Sequence, residues 1–358
     1  MRNVVRGKSR LRHDQSLVFY PSFGTFDPAR REWKINIRGL VYHPSPHNLR
    51  RRLLVRLLRR AMSMQPAELQ SEIFQQRINS FLIQHQRGSR FWIQVGNKTY
   101  RLRKKTRRNG HFGGVLRLSD GDIESLREEG HVQGDWLHFA AAAGSAQNRP
   151  VSGAVQLIPP HGVTVISDID DTIKCSEVGS RRALLENTFL REFRSVPGMA
   201  SLYRNWQAQG ASFHYVSTSP WQLFDALAEM CDEAQFPAGS YHLRKFRLRD
   251  PTVLTLLVPS RRSKRAAIRS ILRAFPRRQF ILVGDSGEKD PEIYGAATRK
   301  YSGRVAQVLI RDLPHRTMDV ERRRRAFRNL PATNWQLFRD SDEISADLAR
   351  FSAITVPG

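Results

Sequence analysis

The rhythm of apolar and polar positions changes once along this chain, near residue 161. Beyond it come four short continuous apolar runs, VTVIS (163–167), FHYVS (213–217), FILVG (280–284) and VAQVLI (305–310). Runs of this length, apolar on both faces, predict strands buried on both sides, as in a parallel sheet. Helical periodicity fills the intervals at Gly198–Gln209, Trp221–Cys231, Arg262–Ala274 and Pro291–Lys300. Strands alternating with helices predict an α/β domain over 161–358 built on a doubly wound parallel sheet. Its active site would lie at the carboxyl ends of the strands.

Upstream the texture differs. FYPSFGTFDPARREWKINIRGLVYHP (19–44) sets turn residues between short β-type runs, and WKINIRGLVY alternates as a strand does. FWIQVGNKTYRLRKKTRRNGHFGGVLRLS (91–119) predicts two or three strands with Gly and Asn at the turns, and LHFAAA and AVQLIP continue the β character. Between them, LRRRLLVRLLRRAM (49–62) places Leu49, Leu53, Leu54, Leu57, Leu58 and Ala61 at helical spacing, and a second helix is expected over Ala67–Leu82. The expectation is a smaller β-rich domain over 16–160 with a helical insertion, preceded by a basic flexible stretch at 1–15.

Composition adds partners to this outline. The 358 residues suffice for two domains, and a hydrophobic fraction of 40% is far from the disordered class. Lys and Arg number 59 against 33 Asp and Glu, a net charge of +26. Such a surface attracts polyanions: nucleic acid, anionic lipid headgroups or phosphorylated substrates. Six arginines lie in 49–62, six basic residues in 101–108, and twelve Lys and Arg against Asp250 alone in 241–280. A single one of these is best read as a solvated charge; the set reads as a surface for polyanions. Leu49–Met62 could lie in a lipid interface with arginines at the headgroups, or pack its leucines into the N-terminal domain, and packing is the preferred reading. Two cysteines, Cys175 and Cys231, make neither a disulfide framework nor a metal spacing and suit a reducing compartment. The first fifteen residues lack the apolar stretch of a signal peptide, and no run approaches the roughly eighteen apolar residues of a membrane span. These features predict a soluble, cytoplasmic protein, with peripheral attachment to a membrane surface left open.

The chemistry gathers where the predicted strands end. The first runs into Asp168-Ile-Asp170-Asp171-Thr172, the second into Ser217-Thr218, and FILVG into Gly284-Asp285-Ser286-Gly287-Glu288-Lys289-Asp290. Lys264 opens the helix before FILVG. In a parallel sheet these ends converge on one crevice. Clustered carboxylates there need a cation, or some hold a proton. Oxygen ligands suit Mg²⁺ better than zinc, which prefers His and Cys. One carboxylate can attack phosphorus, a second can move the proton, and a hydroxyl and a lysine can stabilise the transferred phosphoryl group.

In this order the four words resemble the motifs of the haloacid dehalogenase superfamily, DIDDT matching its D-x-D-x-T. DIDDTIK, YVSTSPWQL and FILVGDSGEKDPEIYG more specifically resemble the App1-like phosphatidate phosphatases, a Mg²⁺-dependent family, and YPSFGTF and the arginine-rich helix are similar to that family's N-terminal region. The resemblance is strongest over 163–301. It implies that Asp168 is the nucleophile forming an aspartyl-phosphate and Asp170 the general acid and then base. It implies that Asp168, the backbone carbonyl of Asp170 and Asp285 hold Mg²⁺ with support from Asp290. Ser217 would hydrogen-bond the phosphoryl oxygens, and Lys264 would neutralise charge and fix the nucleophile. Asp171 fills the free position of the motif and carries no chemistry, and Thr172 orders the loop. Ser217 is preferred over Thr218 because it ends the apolar run, and Ser219-Pro220-Trp221 reads equally well as a helix start with Pro at N1.

The reading is therefore a Mg²⁺-dependent phosphatase acting on a lipid phosphate monoester, phosphatidate to diacylglycerol and phosphate. The insertion from Cys175 to Val196 is short, which leaves the crevice open to a substrate presented by a membrane. Two alternatives are a phosphatase of nucleic-acid ends and a non-catalytic polyanion- or lipid-binding module. The former should carry aromatic stacking platforms, of which Phe91, Trp92 and Tyr100 are a faint version.

Overall fold

The computed structural model describes residues 15–43, 48–142, 151–176, 181–245 and 261–352. The basic N-terminal stretch lies outside them except for Gln15, as do residues 246–260 of the basic run. Contacts divide the chain into two compact units. Among the described residues the first gathers those up to 48, 82–160 and 239–241, and the second gathers 49–81, 161–238 and those from 242 onward. The helices at 49–81, expected as an insertion in the β-rich domain, thus group with the α/β unit instead.

The first unit is a ten-stranded sheet, antiparallel except where Ser152–Ile158 runs parallel to Ser22–Asp27. The alternating WKINIRGLVY run is the long strand Glu32–His43. Residues 91–119 hold three strands, Trp92–Val95, Lys98–Arg101 and His111–Ser119. Alternate side chains such as Ile35, Ile37 and Val41 enter a core with Phe19, Phe91, Phe112 and Phe139. A helix not expected from the sequence, Asp120–Glu128, starts at Ser119, whose hydroxyl accepts from the Asp122 N–H at 3.0 Å. Ser119 and Asp122 cap each other reciprocally, a local signal that the sequence did carry.

The second unit holds a six-stranded sheet. Its strands are β1 (Val163–Ser167), β2 (Ser212–Pro220), β3 (Ser240–Arg244), β4 (Gln279–Asp285), β5 (Val305–Arg311) and β6 (Trp335–Phe338), in the order β3-β2-β1-β4-β5-β6. The β2/β1, β1/β4, β4/β5 and β5/β6 pairs are parallel. The four apolar runs are the four inner strands, and β1 and β4 are buried at every position. The two edge strands, β3 and β6, were not foreseen. The helices of this unit include α1 (Asn48–Met62), α2 (Glu72–Phe81), α3 (Arg181–Phe189), α4 (Met199–Ala208), α5 (Phe224–Glu233), α6 (Arg261–Ala274), α7 (Asp290–Lys300) and α8 (Val320–Ala326). The order of strands turns round between β1 and β4, and Ser167 pairs with Tyr215 on one side and Val283 on the other. The polar words that follow these three strands therefore emerge at one level of one sheet edge.

Two expected helices differ in detail. The single helix over Ala67–Leu82 is broken at Ser71, whose extended backbone (φ −61°, ψ 139°) separates a short turn of helix, Pro66–Gln70, from α2. The helix expected from Trp221 opens as a 3-10 turn, Trp221–Leu223, before α5 begins at Phe224. The apolar stripe of α1 also divides. Leu54, Leu58 and Met62, four residues apart, are buried, whereas Leu49 is 81% and Leu53 41% exposed. At about 100° per residue, Leu49 lies opposite Leu58 on the helix.

The amino end of the sheet carries a buried cation. Arg278, ahead of β4, donates from Nε to the Thr164 hydroxyl at 2.6 Å and from Nη2 to the Val163 carbonyl at 2.5 Å, and from Nη1 to the His161 carbonyl. Gly162 takes a φ of 112° and lies against the guanidinium, where a Cβ would come within 3.1 Å of Nη1. The arginine ties the start of β1 to the start of β4. Arg278→Met would leave these buried acceptors unsatisfied, at roughly 3 kcal/mol or more in all. Thermal unfolding followed by circular dichroism should then show a melting temperature lower by about 6–12 °C; a shift below about 2 °C would remove Arg278 from the account of the fold.

Candidate active site

Asp168 is the first residue after β1. Its N–H donates to the Val283 carbonyl of β4 at 2.8 Å, which extends the sheet by one bond and directs the buried carboxylate over the strand ends. Lys264, from the first turn of α6, reaches it: Nζ lies 2.5 Å from Asp168 Oδ1, 2.5 Å from Asp290 Oδ1 and 3.5 Å from Glu288 Oε2. The other Asp168 oxygen accepts from the Thr172 hydroxyl at 3.4 Å. Asp290, fully buried, starts α7 and lies against Gly284, where a Cβ would come within 2.4 Å of Asp290 Oδ2. Only glycine at 284 lets this carboxylate approach the strand so closely.

Asp285 ends β4. Its Oδ1 accepts from the N–H groups of Gly287 at 2.6 Å and Glu288 at 3.0 Å, forming a tight turn. Its N–H donates to Asp290 Oδ2 at 3.4 Å. Its Oδ2 is buried and has no hydrogen-bond partner among the described residues. The turn is clamped from outside. Arg322 of α8 donates to the Ser286 carbonyl at 2.5 Å and to the Glu288 carbonyl, Arg316 donates to the Gly287 carbonyl at 3.1 Å, and the Ser286 hydroxyl donates to the Arg316 carbonyl at 2.8 Å.

Asp170 belongs to a neighbouring group. Lys174 Nζ lies 2.7 Å from its Oδ1, and the hydroxyls of Ser217 and Ser219 each donate to its Oδ2 at 2.8 Å. Ser217 Oγ also accepts from the Ser219 N–H at 2.8 Å, which fixes the end of β2. Thr218 donates instead to Glu288 at 3.3 Å, bridging toward the Lys264 cluster. Asp171 has a φ of 56°, a left-handed conformation that Asp tolerates better than most residues. Its Oδ1 accepts from the Ser176 N–H at 2.8 Å, and Arg311 donates to its carbonyl at 3.0 Å. Asp171 thus turns the loop, and the motif's free position does structural work.

The six residues predicted for the site divide between two adjoining sets: Asp168, Lys264 and Asp290 in mutual contact, with Asp285 joined through its backbone, and Asp170 with Ser217. Sequence reasoning missed four more. Glu288 was visible in GDSGEKD but given no role, Ser219 was read equally as a helix start, and Lys174, just after the DIDDT word, was passed over. Thr218 was set aside in favour of Ser217, although both face the site. Lys174 also lies 4.5 Å from the centroid of Phe193, and the Arg77 guanidinium of α2 lies 3.9 Å from the same centroid. Arg77 donates to the Thr188 carbonyl at 3.2 Å, so α2 packs against the Cys175–Val196 insertion that carries α3.

The electrostatics follow from burial. Burial opposes the charge of Lys264, but the carboxylates of Asp168 and Asp290 more than offset it and push its pKa well above the usual lysine value. One ammonium does not balance the carboxylates around it. Burial raises Asp285, Glu288 and Asp290, and Lys264 only partly compensates. Burial would raise Asp170 too, but the Lys174 ammonium and the two serine hydroxyls hold it down at about 2. Oxygen atoms of Asp168, Glu288 and Asp290 lie within 4.8 Å of one another. Together with the orphaned Asp285 Oδ2, this hard-oxygen set fits a bound metal ion.

Residues 163–312 match the family model described as the catalytic domain of phosphatidate phosphatase APP1. Over this segment the chain resembles the App1 catalytic domain. It is 35% identical over 168 residues to phosphatidate phosphatase APP1 of Saccharomyces cerevisiae, and 30% identical over 163 residues to an uncharacterized protein of Schizosaccharomyces pombe. These alignments cover 46% and 44% of this chain but only 28% and 26% of the relatives, so the shared part is about a quarter of each relative's length. Every residue of both carboxylate groups falls inside the App1-like segment. The matched segment does not reach YPSFGTF or α1.

Carboxyls whose pKa rises on folding bind more protons in the folded than in the unfolded chain, so stability falls as pH climbs above their unfolded values of about 4. In chelator the melting temperature should therefore be lower at about pH 8 than at about pH 5, and a millimolar divalent cation should recover most of that loss at the higher pH. A profile that is flat in chelator and indifferent to cation would contradict an uncompensated carboxylate cluster.

Proposed function

We propose that this chain is a Mg²⁺-dependent phosphatase that hydrolyses phosphatidate, presented by an anionic membrane, to diacylglycerol and phosphate. The observation that carries the reading is the buried Asp168–Lys264–Asp290 cluster at the carboxyl end of β1, inside the segment that matches the App1 catalytic domain. The relative's printed name supplies the substrate class. Strand order β3-β2-β1-β4-β5-β6 supports a doubly wound, haloacid dehalogenase-like arrangement for 161–358, with the site at its switch point.

In this reading Asp168 Oδ attacks phosphorus while the bond to the diacylglycerol oxygen breaks, leaving an aspartyl-phosphate. Asp170 donates a proton to the departing oxygen. Water then attacks phosphorus, Asp170 takes its proton, and phosphate leaves with Asp168 restored. Held at about 2 by Lys174, Asp170 is ionised in the present arrangement, which suits the second half. The first half requires its carboxyl to rotate away from Lys174 and arrive protonated. Lys264 holds Asp168 in place and offsets its negative charge as a dianionic phosphate approaches. Ser217 and Ser219 can turn their hydroxyls to phosphoryl oxygens when Asp170 moves. Asp168, the carbonyl of Asp170, Asp285 and Asp290 would hold Mg²⁺, and Glu288 is a further ligand candidate. The ion would supply Lewis-acid stabilisation of charge on the phosphoryl oxygens.

Purified protein with Mg²⁺ should release phosphate from phosphatidate in mixed micelles and not from a 3′-phosphorylated oligonucleotide. EDTA should abolish release, Asp168→Asn should lower it at least about a thousandfold, and Glu288→Gln should raise the Mg²⁺ requirement roughly tenfold. Release by Asp168→Asn at the wild-type rate would exclude the nucleophile assignment, and turnover of the oligonucleotide alone would exclude the lipid substrate.

A further inference from the structure

The outward face of α1 combines exposed leucines with arginines. With Leu54, Leu58 and Met62 turned inward, the helical repeat places Leu49, Leu53, Arg52, Arg56 and Arg60 together on the opposite side. Among the described residues, two of the four large hydrophobic side chains exposed to solvent are Leu49 and Leu53. The helix contains no acidic residue. Arg51 is engaged with Asn79 Oδ1 at 2.8 Å and with Gln75 of α2, but Arg52, Arg56, Arg59 and Arg60 have no carboxylate partner among the described residues. At the end of the helix, Arg56, Arg59, Arg60, Ser63 and the 64–66 turn border an open groove of about 520 Å³.

We infer that this face of α1 is the surface by which the protein docks on an anionic phospholipid bilayer. Leucines flanked by arginines on one side of a helix match the interface of a bilayer, acyl chains below and negatively charged headgroups beside them. The groove at 56–66, with three arginines, accepts a phosphate headgroup at the edge of that contact. A nucleic acid would use the arginines and leave the leucines idle. The inward face has its own employment: Leu54, Leu58 and Met62 are buried, and Arg51 fastens α1 to α2. In turn α2 reaches the insertion beside the site through Arg77, Thr188 and Phe193, and Lys174 touches the same ring while it pairs with Asp170. A helix bound to lipid is thereby fixed by contiguous contacts to the unit that holds the carboxylates. This inference deepens the phosphatidate reading and rests on it for its purpose, while the surface itself can be tested separately.

The full chain should float with vesicles of phosphatidylcholine containing phosphatidylserine and not with vesicles of phosphatidylcholine alone. Removing three charges in Arg52→Gln/Arg56→Gln/Arg60→Gln should weaken vesicle binding about a hundredfold. Leu49→Ser/Leu53→Ser should weaken it at least about tenfold. Both variants should release phosphate from a water-soluble, short-chain phosphate monoester at the wild-type rate. Equal binding to neutral and anionic vesicles, or wild-type binding by either variant, would overturn the inference; retention by the leucine variant alone would make the face a general polyanion site. If the wild type binds anionic vesicles through these residues but hydrolyses no phosphate monoester, the docking surface stands and the phosphatase reading falls.

Discussion

One ammonium group holds this site together. Lys264 is buried with Asp168 and Asp290 at 2.5 Å each and Glu288 at 3.5 Å. Taking such charges out of water is expensive, and the pairing repays it only when geometry is held closely. Much of the surrounding structure does that holding. The sheet hydrogen bond from Asp168 to Val283 fixes one carboxylate, the bare backbone of Gly284 admits another, and Arg316 and Arg322 grip the turn between Asp285 and Asp290. Without these constraints the carboxylates would separate into solvent, and the carboxyl end of the sheet would lose its concentrated negative charge.

The fold was legible where burial was complete. Continuous apolar runs became the inner strands because a parallel sheet covered by helices leaves no polar face to interrupt them. The edge strands were missed because neither is a continuous apolar run: Trp335–Phe338 is only half buried over most of its length, and Ser240–Arg244, though largely buried, alternates polar and apolar residues. The long stripe on α1 was legible as a helix but not as two faces, because helical spacing tolerates leucines over a wide arc. Which arc is buried depends on the partner helix, to which Arg51 is tied through Asn79.

The site was legible as a list of motifs and not as a set of contacts. Asp168, Asp170 and Asp285 could be placed because each ends a strand or lies within three residues of its end, and the pattern determines the strand's direction. Glu288 lies in the turn after β4, Ser219 lies near the end of β2 beyond its apolar run, and Lys174 opens a two-residue strand just past Asp171, whose left-handed backbone changes which side chains face inward. Similarly, a count of charge could not distinguish a solvated arginine from Arg278, buried beneath the sheet, or from Arg77, stacked on Phe193. The positive surplus is therefore several things at once: internal scaffolding, a counter-charge for the carboxylates and an outer surface.

The five residues of β1 separate two buried charge systems. Arg278 gathers neutral carbonyls at the amino end, and Lys264 gathers carboxylates at the carboxyl end, about 15 Å away at the usual strand rise. Between them lie Val163, Thr164, Val165, Ile166 and Ser167, all buried. Sites this far apart with no shared partner contribute almost additively. The amino end can therefore accumulate or shed stability while the carboxyl end keeps its chemistry. For evolution, and equally for anyone engineering a hardier version, the two ends of one strand are separate fields of variation.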